Sequence, residues 1–308
     1  MRDRSQGGSR LAPFGVRCGQ AERRQVGGYC SDRFWVSTGV KLSFGTRPVA
    51  TIWTFVSDRR SLPTMETEVA QIADGIYRLS TYVPEIAPPA GFTFNQFLIA
   101  AEEPLLFHCG PRGMFGSVCA ALSSIIPVEQ LRWISFGHVE ADECGAMNLW
   151  LEAAPQAQVV FNPLGCMVSL NDLADRPPRP VGDDDLLNLG NRRVQIIATP
   201  HVPHGWEAQV MYEQTTGTLF CGDLFTHLGN GPALVRSDLV GPAMVAEEAF
   251  HATSIGPAIG PTIRRLGQVH PRVLALMHGS SFEGDGAQQL EQLADAYDRL
   301  LKGMTALH

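Results

Sequence analysis

The chain has 308 residues with a formal net charge of −7, 44% hydrophobic and 18% charged residues, the balance of a globular protein able to bury one large core or two ordinary ones. No apolar run approaches the roughly 18 residues that cross a bilayer, so no membrane segment is predicted. The charge is uneven, with eleven basic against four acidic residues in 1–64 and thirteen against twenty-seven in the rest, which makes the body a poor partner for nucleic acid, where binding rests on phosphate neutralisation.

Seven cysteines with no CxxC pair predict reduced thiols and a cytoplasmic protein. Residues 1–64 are rich in Gly, Ser and Arg and show no period of 2 or 3.6. They are expected to be a disordered extension or an over-long start with Met65 as the true first residue. Asp3 and Glu22 weaken the reading as an organellar transit peptide. The folded domain is therefore expected over 65–308.

From Val69 the pattern becomes regular. Strands are predicted over Ala73–Leu79 and Phe94–Ala100, with Pro104–His108 returning after a turn at 101–103. Helical spacing over Phe115–Ile126 ends at Pro127. Leu131–Phe136 reads as a buried strand, Asn148–Ala154 as a helix and Gln158–Phe161 as a further strand. Asp185–Pro200 reads as strand, turn at Gly190-Asn191, strand. A hairpin follows over Ala208–Glu213 and Thr218–Cys221. Met244–Gln268 is predicted as mostly helical, interrupted by Pro257 and Pro261. Val273–Met277 is a short strand and Ala287–Leu301 a periodic last helix. Two strand series with helices between and after them suit an α/β layered sandwich.

The informative segment is His138-Val139-Glu140-Ala141-Asp142-Glu143, after the strand LRWISF. Three alternate residues there have metal-competent side chains, and alternate side chains of an extended segment share a face. A solvated loop with Asp142 as a helix cap is the blander reading. The segment is not alone, however. His201 and His204 follow the strand VQIIA, Asp223 follows TLF, and His278 follows VLAL. Open α/β folds gather ligands at such strand ends. There is no GxGxxG, P-loop lysine or GxSxG elbow.

The order H-x-E-x-D, His, Gly-Asp, His-Gly resembles the metallo-β-lactamase superfamily, within it the flavodiiron proteins and the oxygen-binding diiron proteins, over about residues 69–301. The resemblance implies a four-layer αββα sandwich with the site at one edge of its two sheets. It implies that His138, Glu140 and His204 hold one metal, that Asp142 and His278 hold the other, and that Asp223 bridges both, with His201 outside the ligand set. His108 stands where an Asp is usual, a departure of little expected consequence for metal binding. Glu143 stands where hydrolytic relatives place a further His, which leaves an open coordination position, and Glu143 itself is expected to take a catalytic part. His227 is expected to line the pocket as a proton donor, with an exposed loop residue the equal alternative. Trp206 and Phe225 either wall the site or pack in the core.

Three carboxylates with three imidazoles form a harder donor set than an imidazole-rich zinc site, which favours two iron ions, with zinc or manganese as alternatives. The flavodoxin domain of the resembling proteins would follow residue 301. The expected function is thus a stand-alone diiron protein that binds or reduces dioxygen or nitric oxide, with electrons from a separate flavoprotein or rubredoxin-type donor and subunits paired as a homodimer or larger. A dinuclear hydrolase of a thioester, lactone or phosphodiester is the rival, and an oxygen-sensing binding module a further one.

Overall fold

A computed structural model describes residues 66–306; the expected boundary between residues 64 and 65 lies outside them. The chain opens with β1 (Thr67–Ala73) and β2 (Ile76–Val83), which pair antiparallel across Asp74-Gly75. The sequence predicted one strand through this point. Asp-Gly between alternating hydrophobic residues favours a tight hairpin, and Gly75 takes the positive φ (+64°) such a turn requires.

Five further strands follow: β3 (Phe92–Ile99), β4 (Leu105–Phe107), β5 (Trp133–Ser135), β6 (Gln158–Phe161) and β7 (Arg179–Pro180). They complete a sheet whose spatial order is the sequence order, antiparallel up to β4 and parallel from there to β7. Its helices are α1 (Phe115–Ser123), α2 (Ala141–Cys144) and α3 (Met147–Ala153), then the short α4 (Pro163–Gly165) and α5 (Asn171–Leu173) around a π turn at Cys166–Leu170.

The second sheet contains β8 (Leu186–Asn188), β9 (Arg193–Ala198), β10 (Gln209–Glu213), β11 (Thr218–Phe220), β12 (Leu234–Val235), β13 (Val273–Ala275) and β14 (Ser281–Glu283), in the order β12-β14-β13-β11-β10-β9-β8. Parallel β11 and β13 need a crossover, and α6 (Val240–Phe250) and α7 (Ile259–Gly267) lie in that connection. Pro261 falls in the first turn of α7, where a missing N–H is harmless, so it begins a helix where the sequence predicted an interruption. The last helix, α8 (Gly286–Thr305), starts where the Asp285 side chain accepts from Gln288 N at 2.9 Å. It buries Leu290, Leu293, Ala294 and Tyr297, one face at helical spacing.

Apolar side chains form three layers. Leu79, Leu98 and Ile134 meet Val118, Leu122 and Trp150 outside the first sheet. Ile76, Phe97 and Phe107 meet Ile196, Met211 and Phe220 between the sheets. Leu219 and Leu274 meet Ala243, Ile263 and Leu290 outside the second. The fold is the four-layer αββα sandwich. Among the described residues no helix is long and apolar enough to cross a membrane.

Two polar seams tie the sheets together at the rim. On one side Asn95 Nδ2 donates to Leu276 O (2.8 Å) and Gly279 O (2.9 Å), and Arg78 Nη2 donates to Gly279 O at 3.0 Å. On the other, Gln209 N donates to Gly137 O (2.8 Å), and Gln209 Oε1 accepts from Asn162 N (3.0 Å). Val139 N donates to Glu207 Oε1 at 2.9 Å.

Phe97 is fully buried and meets Phe220 of the opposite sheet, ring centroids 5.7 Å apart. Phe97→Ala is expected to cost about 3–5 kcal/mol, read as a lower urea midpoint with an unchanged slope. A loss under about 1 kcal/mol would show that this contact does not hold the sheets together.

Candidate metal centre

Six side chains converge at the rim. The loop after β5 bends through His138, leaves Glu140 extended at φ −134°, and then turns helical at α2, which directs Asp142 elsewhere. The segment is therefore not one continuous extended face. The β9–β10 loop brings His204, the end of β11 brings Asp223, and the end of β13 brings His278.

The donors fall into two groups. His138 Nε2 lies 2.7 Å from Glu140 Oε2 and 2.9 Å from His204 Nε2, and His204 Nε2 lies 3.1 Å from Glu140 Oε2. Asp223 Oδ2 closes this group, 3.4 Å from His204 Nε2 and 3.8 Å from His138 Nε2. One donor atom from each of these four residues lies within 4.8 Å of all the others. In the second group His278 Nε2 stands 3.3 Å from both Asp142 Oδ2 and Asp223 Oδ1. Asp223 thus turns one oxygen to each group.

The residues fit a pair of cations. The His278 Nδ1–H donates to Thr93 O at 2.8 Å, which leaves Nε2 as the ring atom facing the two carboxylates. A bare nitrogen lone pair beside two carboxylate oxygens is repulsive unless a cation or proton lies between them. Asp142 Oδ1 and Asp223 Oδ1 are buried with no hydrogen-bond partner. Burial alone would lower the imidazoles, but carboxylates prevail. Glu143 and Glu140 push His138 up to about 12, and Asp142 and Asp223 raise His278 to about 10. Hydrogen bonds from His138 and His204 hold Glu140 far below the usual carboxylate range. Burial would raise Asp223, yet its contact with His278 holds it low. The cluster attracts positive charge and, without a metal, takes protons instead.

Glu143 is fully buried and does not face the cleft. Its Oε2 accepts from Gly137 N (2.6 Å) and His138 N (2.7 Å), and its Oε1 lies 3.3 Å from His138 Nδ1 and 3.4 Å from His108 Nε2. It fixes the His138 loop from behind, which is a positioning task, not the catalytic one expected. His108, expected to matter little, is fully buried and packs in this same contact. Burial pushes its pKa down, and Glu143 opposes that most strongly.

His227 does not line the cavity. Its Nδ1–H donates to Phe225 O (2.9 Å) and its Nε2 accepts from Ser280 N (2.9 Å). Both nitrogens are engaged, so it clamps the Asp223 loop to the His278 loop and has no proton for the site. Gly279, at φ +94°, is glycine because a Cβ there would reach 2.3 Å from that ring. His201, His251 and His270 are exposed and stand outside the cluster; His308 lies outside the described residues. Trp206 is 55% exposed and Phe225 packs in the outer core, and neither walls the site. The walls are Phe92, Phe94, Phe250 and Tyr297, which sequence reasoning missed.

Fold and rim together define a domain of the metallo-β-lactamase class. The family described as ODP family beta lactamase matches residues 92–279, more than half of the chain, and the chain belongs to it. It is 26% identical over 207 residues to a rubredoxin-oxygen oxidoreductase of Megalodesulfovibrio gigas, covering 64% of this chain and 50% of that one. It is 28% identical over 198 residues to a type A flavoprotein of Rhodobacter capsulatus, covering 61% and 45%. The chain thus spans about half the length of these curated relatives. The flavodiiron core of Synechocystis Flv1 superposes with a TM-score of 0.66 at 20% identity, covering 78% of this chain and 62% of that one. A fragment of a Nostoc diflavin flavoprotein gives 0.66 at 16% identity, covering 79% and 98%.

Two outcomes are expected. Divalent metal uptake at pH 7 should release protons from His138 and His278, so affinity climbs as pH rises toward about 10; calorimetry in buffers of different ionisation enthalpy reads this, and uptake without proton release contradicts it. Glu143→Gln, with folding checked by circular dichroism, should weaken metal binding roughly 10–100-fold. Unchanged affinity in a chelator competition would remove Glu143 from the support of His138.

Proposed function

We propose that this domain holds two iron ions and binds or reduces dioxygen or nitric oxide, with electrons from a separate flavoprotein or rubredoxin-type donor. The observation that carries the reading is the carboxylate-rich double cluster, with Asp223 turned to both halves. His138, Glu140 and His204 would hold one ion, Asp142 and His278 the other, and Asp223 would bridge them. Three carboxylates beside three imidazoles favour iron over the imidazole-rich sets of zinc hydrolases. The names of the relatives point the same way: rubredoxin-oxygen oxidoreductase for one, flavodiiron core for another.

When bound, the pair would supply electrons to a diatomic ligand at neighbouring open positions. The chain's own part is to orient and to exclude water. Thr93 O holds the His278 ring in the tautomer that presents Nε2. Glu143 anchors the His138 loop through two backbone amides. Phe92 and Phe94 meet the His278 ring and shield it from solvent. Five free cysteines among the described residues support a reducing, cytoplasmic setting. By the family resemblance the protein is proposed to act as a homodimer or larger.

The full chain, purified without oxygen, is expected to carry about two iron ions and to consume dioxygen when a flavin reductase and reduced nicotinamide are added. Asp223→Asn should lower that rate about 100-fold or more, equivalent to roughly 3 kcal/mol. Zinc filling the site after growth in iron-replete medium, with no oxygen uptake by the iron-reconstituted chain, would overturn the reading.

A further inference from the structure

The metal cluster forms one end of a cavity of about 280 Å3. A diatomic molecule needs on the order of the ~30 Å3 that a water occupies in the liquid, so most of the space is idle in the chemistry above. Phe92 stacks on the His278 imidazole, centroids 4.2 Å apart, and meets Phe250 edge-on at 5.6 Å. Phe250 is 40% exposed, so an aromatic wall runs from a metal ligand out to solvent. Ala243 and Ala246 of α6 line the cavity and keep it wide.

Glu247 also lines this cavity, and it is only 8% exposed. Thr253 Oγ1 donates to Glu247 Oε2 at 2.5 Å, and with that proton engaged the Tyr297 hydroxyl donates to Thr253 Oγ1 at 3.0 Å. Burial and the Glu247 carboxylate push Tyr297 up to about 12, which keeps it a donor. Thr253 N reaches Glu247 Oε1 only at 3.5 Å, which leaves that oxygen open to a stronger donor. Among the described residues no Arg, Lys or His pairs with Glu247. Buried carboxylates ordinarily have a cationic or multiply hydrogen-bonded partner. Here Thr253 supplies the hydrogen bonds, no cation joins them among the described residues, and the carboxylate lines an apolar, aromatic space.

We propose that this cavity binds a small organic cation with an apolar body, an arylalkylamine in class, its ammonium group on Glu247 and its ring against Phe92 and Phe250. An ammonium–carboxylate hydrogen bond is among the strong ones, aromatic faces attract cations, and the volume lies near the low end for small-molecule sites. Charge also sets the orientation. Bound metal ions would repel the ammonium from the rim cluster toward Glu247. A carboxylate ligand would meet Glu247 with like charge. The site stands whether or not the metal pair turns over oxygen.

The test uses the full chain with its rim cluster filled by iron or by zinc, titrated calorimetrically with 2-phenylethylamine, neutral 2-phenylethanol and anionic 3-phenylpropionate. The amine should bind saturably and about tenfold or more tighter than the alcohol, with the acid weakest. Glu247→Gln, which retains an acceptor for Thr253, should erase the preference for the amine. Ala246→Phe should fill the cavity and abolish binding of all three probes. Equal affinities for the three probes, no saturable binding, or binding untouched by Ala246→Phe would overturn the proposal. If Glu247→Gln fails to fold, the probe series on the unaltered chain and Ala246→Phe still decide it. A chain that binds the amine but takes up no iron would sink the proposed function and leave this site standing.

Discussion

The site exists only because two separate sheets present their strand ends at a fixed offset. His138, Glu140 and Asp142 belong to the first sheet's rim, and His204, Asp223 and His278 to the second's. Apolar packing between the sheets supplies most of the attraction, but it is non-directional and tolerates small slides. Donor positions for a metal do not tolerate them. The directional restraint comes from Asn95 and Gln209, buried amides that each reach across to the other sheet's backbone. The Asn95 Nδ2 and both polar atoms of the Gln209 amide find their partners in this register, and a slide would leave them unpaired at about 1–3 kcal/mol each.

The same register creates an electrostatic burden. It brings three carboxylates and three imidazoles within contact, with Asp142 Oδ1 and Asp223 Oδ1 lacking any hydrogen bond. The fold tolerates this because the cluster can always draw in positive charge, as protons on the imidazoles or as metal ions. Asp223 is the residue on which both halves depend, since its two oxygens touch different groups. Backbone and loop clamps hold it in that pose: Thr226 N and Oγ1 both donate to its carbonyl oxygen, and His227 bonds the strand end beyond. Function and instability thus share one origin, the enforced crowding of ligands.

Much of this was legible in the sequence because each donor follows a short apolar strand, and strand ends of such folds meet at one rim. The resemblance selects His204 and leaves His201 outside the ligand set, and the backbone gives the physical reason. His201 sits at φ +64° and points to solvent, while the turn at Gly205 swings His204 inward. Other features left no trace along the chain. Strands β12 and β14 have two and three residues, too few for any period to show. The cavity joins Phe92 to Glu247 and Phe250, more than 150 positions apart in sequence, and nothing local marks them. His227 looked like a candidate donor because type and position alone do not say where a ring's two nitrogens are engaged.

The two departures from the family resemblance turn out to be one feature in space. An imidazole at 108 and a carboxylate at 143 meet at 3.4 Å in a fully buried place. With the usual Asp at 108, the inward carboxylate of Glu143 would face another carboxylate without solvent, a like-charge contact that forces one of them to protonate. An imidazole there brings no second negative charge, so Glu143 keeps its own and presents it to the back of His138. A carboxylate behind a ligating histidine fixes the ring and strengthens its donor nitrogen. His108 therefore acts on the metal site at one remove, through Glu143 and then His138, and a substitution that looked incidental in the sequence becomes the condition for the anchoring of the first ligand.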